Sequence, residues 1–253
     1  MTRILSIILL ILLLSIGRGR GAKTFLTFYL SIILIASYVI LMSMGINAII
    51  LAIIICLIAT VITLFILNGY NKKTISSFIS IAIVLLIITI MIMIVGYNAN
   101  IQGFTMEDLD SIGAFSYDIN YSMTDVIIGM YLICIIGTVI DTSISISSSM
   151  NEVYENNKKI NSKELFLSGM NIGSDILSTT INTLYFALMS SFIGFFMWYR
   201  GFELEYIINS KSFVQKIIEL LLSFIASILI IPITSYISSK ILLTKKLDKQ
   251  QII

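Results

Sequence analysis

Long apolar runs separated by short polar connections dominate this chain. The runs cover residues 2–16, 24–44, 48–67, 75–95, 124–150, 174–198 and 213–239. Most of them reach the length of about 20 residues that an α-helix needs to cross a hydrocarbon core of about 30 Å. The pattern therefore predicts an all-α fold, a polytopic transmembrane helix bundle of about seven spans, with residues 1–253 forming a single membrane domain.

The first apolar run is the shortest, and its length suits a signal-peptide core as well as a short span. Two observations favour a retained helix. Arg18 and Arg20 follow the run, whereas a signal peptide has its basic residues in front, and no small-x-small cleavage site comes after it. We therefore expect an uncleaved first helix that ends at the glycine-rich residues 17–21.

One apolar stretch, residues 165–199, is too long for a single span, because it would extend over about 52 Å as a straight helix. Gly169 and Gly173 offer a natural break. We therefore expect a short interfacial helix over residues 163–170, followed by a sixth span over residues 174–198.

Two polar signals predict where helices begin. Ser122 followed by Asp125 fits a capping box that opens the fifth span, and Asn161 followed by Glu164 fits another before the long stretch. In a capping box the side chain of the first residue accepts from the amide of the residue three positions later, and the side chain of that later residue accepts from the amide of the first. The charged connection between these helices, residues 151–163, makes them a hairpin.

Composition and charge agree with a membrane protein and set its orientation. The chain is 58% hydrophobic and only 12% charged, and its mean hydropathy is +1.02. Soluble domains carry about 25% charged residues. With the N-terminus outside and the C-terminus inside, twelve of the 16 Lys and Arg residues fall on the cytoplasmic side. This distribution predicts a membrane protein with an N-out, C-in orientation.

Several classes of chemistry have no support in the sequence. The net charge of +2 is too small to indicate nucleic-acid binding. The chain has no His, and Cys56 and Cys134 both lie within apolar runs, so neither a metal site nor a disulfide is expected. Phosphate-binding and dinucleotide-binding motifs are also missing. We expect a protein that is not an enzyme and has no cofactor.

The candidate chemistry is a set of polar residues inside two apolar runs. On the fifth span, residues spaced by three or four share one helical face: Gly137, Asp141, Ser145, Ser148 and Glu152. On the sixth span, a comparable polar face carries Asp175, Thr179, Asn182 and Thr183. Because the two spans form a hairpin, these faces are available to each other. We take Gly137, Gly169 and Gly173 as helix-packing positions.

Asp141 is the residue of this set that most needs an explanation. It lies about 15 Å from the predicted inner surface, near the middle of the membrane, where ionisable groups are costly and usually functional. It is either protonated, bound to a cation or hydrated in a cavity. The depth of Asp175 depends on the predicted break. If the helix begins after the break, Asp175 caps it near the inner surface; if the helix is continuous, Asp175 lies at a depth similar to that of Asp141. The serines also have a structural interpretation, because Ser and Thr commonly join membrane helices.

These polar residues also carry a resemblance to a known family, the YibE/F family of bacterial membrane proteins. The resemblance rests on two gapped motifs: Gly137-x-x-x-Asp141-x-x-x-Ser145-Ile146-x-Ser148-x-x-x-Glu152, then Ser168-Gly169-Met170-Asn171-Ile172-Gly173-x-Asp175-Ile176 with Thr180-x-Asn182-Thr183-Leu184. Residues 17–23 and 71–74 resemble the family as well. The chain departs from the family pattern at Thr142, Ser174 and Ser178. Ser174 replaces an Arg that would be the obvious partner of Asp175.

The resemblance implies a polytopic plasma-membrane protein with a transport-related role, and a short, YibF-like member whose partner is a longer, YibE-like membrane protein. Three hypotheses follow. The first is a permease or permease subunit in which Asp141 and the polar faces handle protons, cations or a substrate. The second is a non-transporting subunit that stabilises or regulates the longer partner. The third, an intramembrane aspartyl hydrolase using Asp141 and Asp175, lacks the signature motifs of such enzymes.

Overall fold

The computed structural model describes residues 2–99, 122–198 and 200–244, and within them it is helical without any strand. The helices are α1 (Thr2–Ser43), α2 (Ala48–Val61, continued by a π-helical turn, Ile62–Ile66), α3 (Lys72–Asn98), α4 (Met123–Asn156), α5 (Ser162–Trp198), α6 (Leu204–Ile208) and α7 (Lys211–Leu243). The all-α polytopic bundle is therefore confirmed. In this part of the chain, six segments are long and apolar enough to cross a membrane.

The predicted first and second spans form one helical segment, α1, but this segment folds back on itself. The hydroxyl groups of Ser6 and Tyr29 are hydrogen-bonded, although 23 residues of straight helix would separate them by about 34 Å. A Cβ atom at Gly21 would overlap the backbone carbonyl of Leu13. Both contacts are centred near residue 17, so the chain reverses at the glycine-rich segment. Its N-terminal part, Ile4–Gly17, is too short for a full span, which leaves six candidate spans where about seven were predicted.

The predicted break at Gly169 and Gly173 is wrong, because α5 is continuous from Ser162 to Trp198 and no separate interfacial helix covers residues 163–170. Glycine lowers helix propensity, but tertiary packing overrides it here. Both glycines lie where α5 crosses other helices. A Cβ at Gly169 would come within 2.8 Å of the Ser235 hydroxyl, and one at Gly173 would overlap Ile231, which are both on α7. The absent side chains allow the close approach.

The predicted helix starts are confirmed at both capping boxes. The amide of Asp125 donates to the Ser122 hydroxyl at 3.4 Å, at the start of α4. The amide of Asn161 donates to the Glu164 carboxylate at 3.3 Å, immediately before α5. Most of the connection between the predicted fourth and fifth spans, residues 100–121, lies outside the described residues. The N-out, C-in orientation stays a prediction.

Helix α4 lies at the centre of the bundle and contacts α2, α3, α5 and α7. Its apolar side chains, among them Ile128, Leu132 and Ile146, are fully buried against these neighbours. Helix α5 packs on α7 and on the C-terminal half of α4, whereas much of its own surface is exposed. One side of α4, which carries Gly137, Asp141 and Ser145, is exposed.

Serine and threonine side chains fill the interior where α3, α4 and α7 meet. The members of this hydroxyl cluster are Ser76, Ser77, Ser143, Ser147, Thr234 and Ser238, and all are buried. The Ser76 hydroxyl lies 2.9 Å from that of Ser147 and accepts from Ser238 at 3.1 Å, and the Ser143 and Thr234 hydroxyls are 3.1 Å apart. These bonds connect the three helices. They match the structural interpretation of the serines for Ser143 and Ser147.

Candidate functional site

Asp141 lies on the uncovered side of α4, close to the middle of the helix, and its side chain is exposed. It makes no hydrogen bond or ion pair with any residue that the structure describes. The backbone at this position belongs to the regular helix, so the carboxylate has no capping role. A carboxylate at this depth without a protein partner needs a proton, a cation or water.

The carboxylate lines a groove between α4 and α5. The groove has a volume of about 240 Å³. Its lining is unusual for a membrane helix pair because it consists of one carboxylate, five threonines and one apolar side chain: Thr138, Asp141, Thr142, Thr179, Thr180, Thr183 and Leu184. The structure thus brings Asp141 together with Thr179 and Thr183, two of the residues that the sequence singled out on the opposite helix.

Two of the threonines already use their protons. Thr179 donates to the carbonyl of Ile176 at 2.8 Å, and Thr183 donates to the carbonyl of Thr179 at 2.9 Å. Bonds of this kind, back to the helix backbone, are common for Ser and Thr in membrane helices. Their consequence is that the oxygen lone pairs remain available. Together with the Asp141 carboxylate they form a set of oxygen acceptors, which suits a cation.

Thr142 adds an oxygen that the protein leaves without a partner. Its side chain is only 2% exposed and lines the groove, yet its hydroxyl has no hydrogen bond within the described residues. A buried hydroxyl without a partner costs about 1–3 kcal/mol. Such a group at the wall of a polar groove is available to water or to a bound solute. It stands directly beside Asp141.

The other predicted site residues do not line this groove. Ser145, Ser148 and Glu152 follow Asp141 along the outward side of α4 toward the loop that joins α4 to α5; Ser145 and Glu152 are exposed and Ser148 is half-buried. Asp175 and Asn182 are exposed on α5. Four of these five residues are therefore exposed polar positions outside the groove.

The continuity of α5 decides between the two alternatives for Asp175. The residue lies 13 positions after Ser162, and Asp141 lies 15 positions before Asn156. At 1.5 Å per residue both are about 20 Å from the connecting loop, so the two carboxylates have a similar depth. Asp175 is not a helix cap. Asp175 is not among the residues that line the groove, so the groove places only one carboxyl group, that of Asp141, where a shared-proton aspartyl pair would need two.

The three glycines proposed for helix packing have different surroundings. Gly169 and Gly173 lie in tight contact with Met150 and Ile146 of α4 as well as with α7. Gly137 is exposed, and no heavy atom lies within 4 Å of the position that a Cβ would occupy. Gly137 therefore borders open space one turn from Asp141.

Three groove threonines were not predicted as site residues: Thr138, Thr142 and Thr180. Thr142 had been noted only as a departure from a family pattern and Thr180 only as part of a family motif. A signal was present, because Thr138 lies three positions before Asp141 and four before Thr142, spacings that make side chains neighbours on a helix. No group of three or more metal-ligating His, Cys, Asp or Glu side chains occurs among the described residues.

Of the comparisons with known proteins, one gives a match. No curated protein and no solved structure matches the chain. A family model described as "YibE/F-like protein" matches residues 5–244, which include α1 to α7 almost completely. The resemblance read from the two gapped motifs is thereby confirmed. The chain belongs to the YibE/F-like family of proteins, as an integral membrane protein with several apolar helices long enough to span a bilayer.

Proposed function

We propose that this protein is a permease, or a permease subunit, of the bacterial plasma membrane, and that it passes cations or protons by way of the groove between α4 and α5. The observation that carries this proposal is the composition of the groove: one unpartnered carboxylate, Asp141, surrounded by five threonine hydroxyls near the middle of a membrane helix. Hydroxyl and carboxylate oxygens are the ligands that hard cations prefer.

The groove is suited to exchange rather than to permanent binding. It supplies a single negative charge, from Asp141, and its other ligands are neutral oxygens such as those of Thr179 and Thr183. One charge binds a cation or proton less tightly than the three or four carboxylates of a calcium site do. A solute that has entered can therefore leave again, which conduction requires. Solutes pass without chemical conversion.

Flux measurements on purified protein test the proposal. The protein is reconstituted in liposomes that contain a pH-sensitive dye, and a gradient of Na⁺, K⁺ or Mg²⁺ is imposed against a proton gradient. We expect the wild-type protein to dissipate the proton gradient with at least one of these cations. Asp141→Asn removes the charge with little change in shape, and we expect it to reduce the rate at least tenfold.

The matched control is Asp125→Asn, the same substitution on the same helix. Asp125 lies in the first turn of α4, where it accepts a hydrogen bond from the Tyr97 hydroxyl at 2.8 Å, and an asparagine oxygen can accept that bond as well. We expect its flux to equal that of the wild type. An Asp141→Asn protein that inserts normally and transports at the wild-type rate would contradict the proposal.

A second candidate function is a non-transporting subunit that stabilises or regulates a longer, YibE-like membrane protein. The observation that favours it is the group of polar residues outside the groove: Ser145, Glu152, Asp175 and Asn182 are exposed and have no partner within the described part of the chain. Polar groups are unfavourable against lipid, and another protein could cover them. Liposomes that remain tight with wild-type protein, together with loss of co-purification of the longer protein on Ser145→Leu, would favour this function.

A further inference from the structure

A second polar cluster lies on the same side of the bundle, two helical turns from Asp141. Glu219 of α7 accepts a hydrogen bond from the thiol of Cys134 on α4 at 2.9 Å. The same carboxylate pairs with Lys216 at 2.9 Å. Cys134 precedes Asp141 by seven residues, which corresponds to about 10 Å along the axis and nearly the same direction around it. Cys134 and Asp141 are both exposed, so the cluster and the groove adjoin one surface of α4.

Open space separates the cluster from the groove. Gly137 lies between Cys134 and Asp141 on this surface, and no atom approaches within 4 Å of its missing Cβ. Any side chain at this position would extend into the interval between the two carboxylates. The exposed glycine between Cys134 and Asp141 leaves this interval free of any side chain at position 137.

A passing cation can take the place of Lys216 in its ion pair with Glu219. The two residues are three apart on one helix, and their side chains are 49% (Lys216) and 23% (Glu219) exposed. Exposed pairs of this type contribute little binding energy and exchange readily. Glu219 can therefore give up the lysine and accept a cation or proton, while Lys216 turns outward.

We propose that Glu219 is the entry residue of the path to Asp141, and that the surface lined by Cys134 and Gly137 is a water-filled access route between the two carboxylates. The proposal rests on the proposed function, because it names the residue that selects the cation or proton before it reaches the groove. Glu219 attracts positive charge and the space above Gly137 admits it. Asp141 and the threonines then receive it.

The native cysteines allow a direct test of the route. Cys56 is buried, at 1% exposure, and Cys56→Ala leaves Cys134 as the single thiol of the chain. In intact membranes this variant is treated with a cationic trimethylammonium-ethyl methanethiosulfonate, with its anionic sulfonate analogue and with N-ethylmaleimide, which dissolves in lipid. We expect both charged reagents to modify Cys134, and the cationic reagent to react at least tenfold faster.

Each other outcome overturns the proposal. Modification by N-ethylmaleimide alone would show that the surface faces lipid, and modification by none of the reagents would show that protein covers it. Equal rates with the cationic and anionic reagents would show a wet surface without selection for positive charge. Labelling requires no transport. A Cys134 that is labelled in a protein without flux would therefore refute the permease function but still support the water-filled access route.

Two further variants assign the roles of Glu219 and Gly137. Glu219→Gln is expected to bring the ratio of cationic to anionic labelling close to one, whereas the control Glu203→Gln, an exposed acid before α6, leaves the ratio unchanged. A ratio of rates cancels any change in the reactivity of the thiol itself. An unchanged ratio in Glu219→Gln would remove Glu219 from the route.

To test Gly137, the single cysteine that is labelled is moved beyond it, to position 141. The variant combines Cys56→Ala, Cys134→Ala and Asp141→Cys. Adding Gly137→Leu is expected to slow labelling at position 141 by at least tenfold. The matched control is Gly194→Leu, because Gly194 also has open space around its missing Cβ but lies on α5. Equal slowing by both variants, or by neither, would contradict an access route across Gly137.

Discussion

Helix α4 carries serines, threonines and an aspartate on two sides, and the two sides use them differently. On the inner side, Ser143 and Ser147 are fully buried and bonded to α3 and α7. On the outer side, Asp141 and Ser145 are exposed and have no partner in the described chain. Residues only two positions apart thus belong to different environments. Polar composition alone does not distinguish packing from function, but the partners of each group do.

The inner side satisfies its polar groups within the protein. The Ser147 hydroxyl lies within hydrogen-bond distance of both Ser76 and the Lys73 carbonyl, at 2.9 and 2.7 Å. The outer side presents acceptors, and Thr142 at the boundary is buried yet unpaired. Groups that are satisfied hold helices together, and groups that are left unsatisfied in a folded protein are available to a solute or partner. The predictions below test this contrast.

The largest effect is expected from placing leucine on each side in turn. Asp141→Leu removes a carboxyl group from the middle of an apolar helix. At the centre of a membrane span Asp is about 3 kcal/mol less favourable than Leu, so we expect the bundle to become more stable while flux is lost. Ser147→Leu forces a large side chain into a packed interior, so we expect a loss of about 2–3 kcal/mol. Unfolding by SDS, followed by circular dichroism, measures both changes.

The opposite signs are the essential part of this prediction. Two destabilising substitutions would mean that Asp141 has partners that hold α4 in place, and the contrast between the sides would fail. Two stabilising ones would mean that the hydroxyl cluster tolerates extra volume and is loosely packed.

The next effect concerns the glycines on the two sides. Gly173→Leu must displace Ile231 and Ile146, which approach its missing Cβ closely, and we expect it to lower the unfolding free energy by about 2 kcal/mol. Gly137→Leu enters open space and removes a helix-weakening glycine, so we expect no loss of stability and a gain of up to about 1 kcal/mol. Thermal unfolding in detergent compares the two variants. Equal destabilisation would place Gly137 in a packed contact after all.

Much of the fold was predictable because apolar length is a strong signal. The spans over residues 48–67, 75–95, 124–150 and 213–239 correspond to helices α2, α3, α4 and α7, and two capping boxes located helix starts correctly. The predicted break at Gly169 and Gly173 was wrong, because a glycine in a membrane helix can have either of two effects. It weakens the helix locally, but it also lets another helix approach, and only the position of α7 shows which effect decides.

The site was predictable in part for a similar reason. Spacing identified Asp141 as the exceptional residue, and the hairpin brought Thr179 and Thr183 to it. Spacing placed Ser145, and not Ser147, on the face of Asp141. It did not show that Ser147 bonds to α3, because that helix comes from a distant part of the chain. The fold-back of α1 at residues 17–21 was expected from its glycines, and the Ser6–Tyr29 contact agrees with it.

Thr142 tests the boundary between the two sides. Thr142→Val keeps the shape and removes the unpaired buried hydroxyl, so we expect the protein to gain about 1 kcal/mol of stability. If the hydroxyl serves the solute in the groove, flux falls at the same time. A stabilised protein with unchanged flux would exclude Thr142 as a ligand, and a destabilised one would show that its hydroxyl has a partner.

The smallest and most direct comparison is a pair of neighbouring alanine substitutions. Ser147→Ala removes hydrogen bonds between helices, which are worth about 0.6 kcal/mol on average in membrane proteins, and Ser145→Ala removes none in the described structure. SDS unfolding should therefore distinguish the two variants by about 0.5–1 kcal/mol, with Ser145→Ala equal to the wild type. Measured again with the longer YibE-like protein present, Ser145→Ala should stay neutral if the outer side faces water. It should become destabilising if that protein covers it, so the same pair also decides between the two candidate functions.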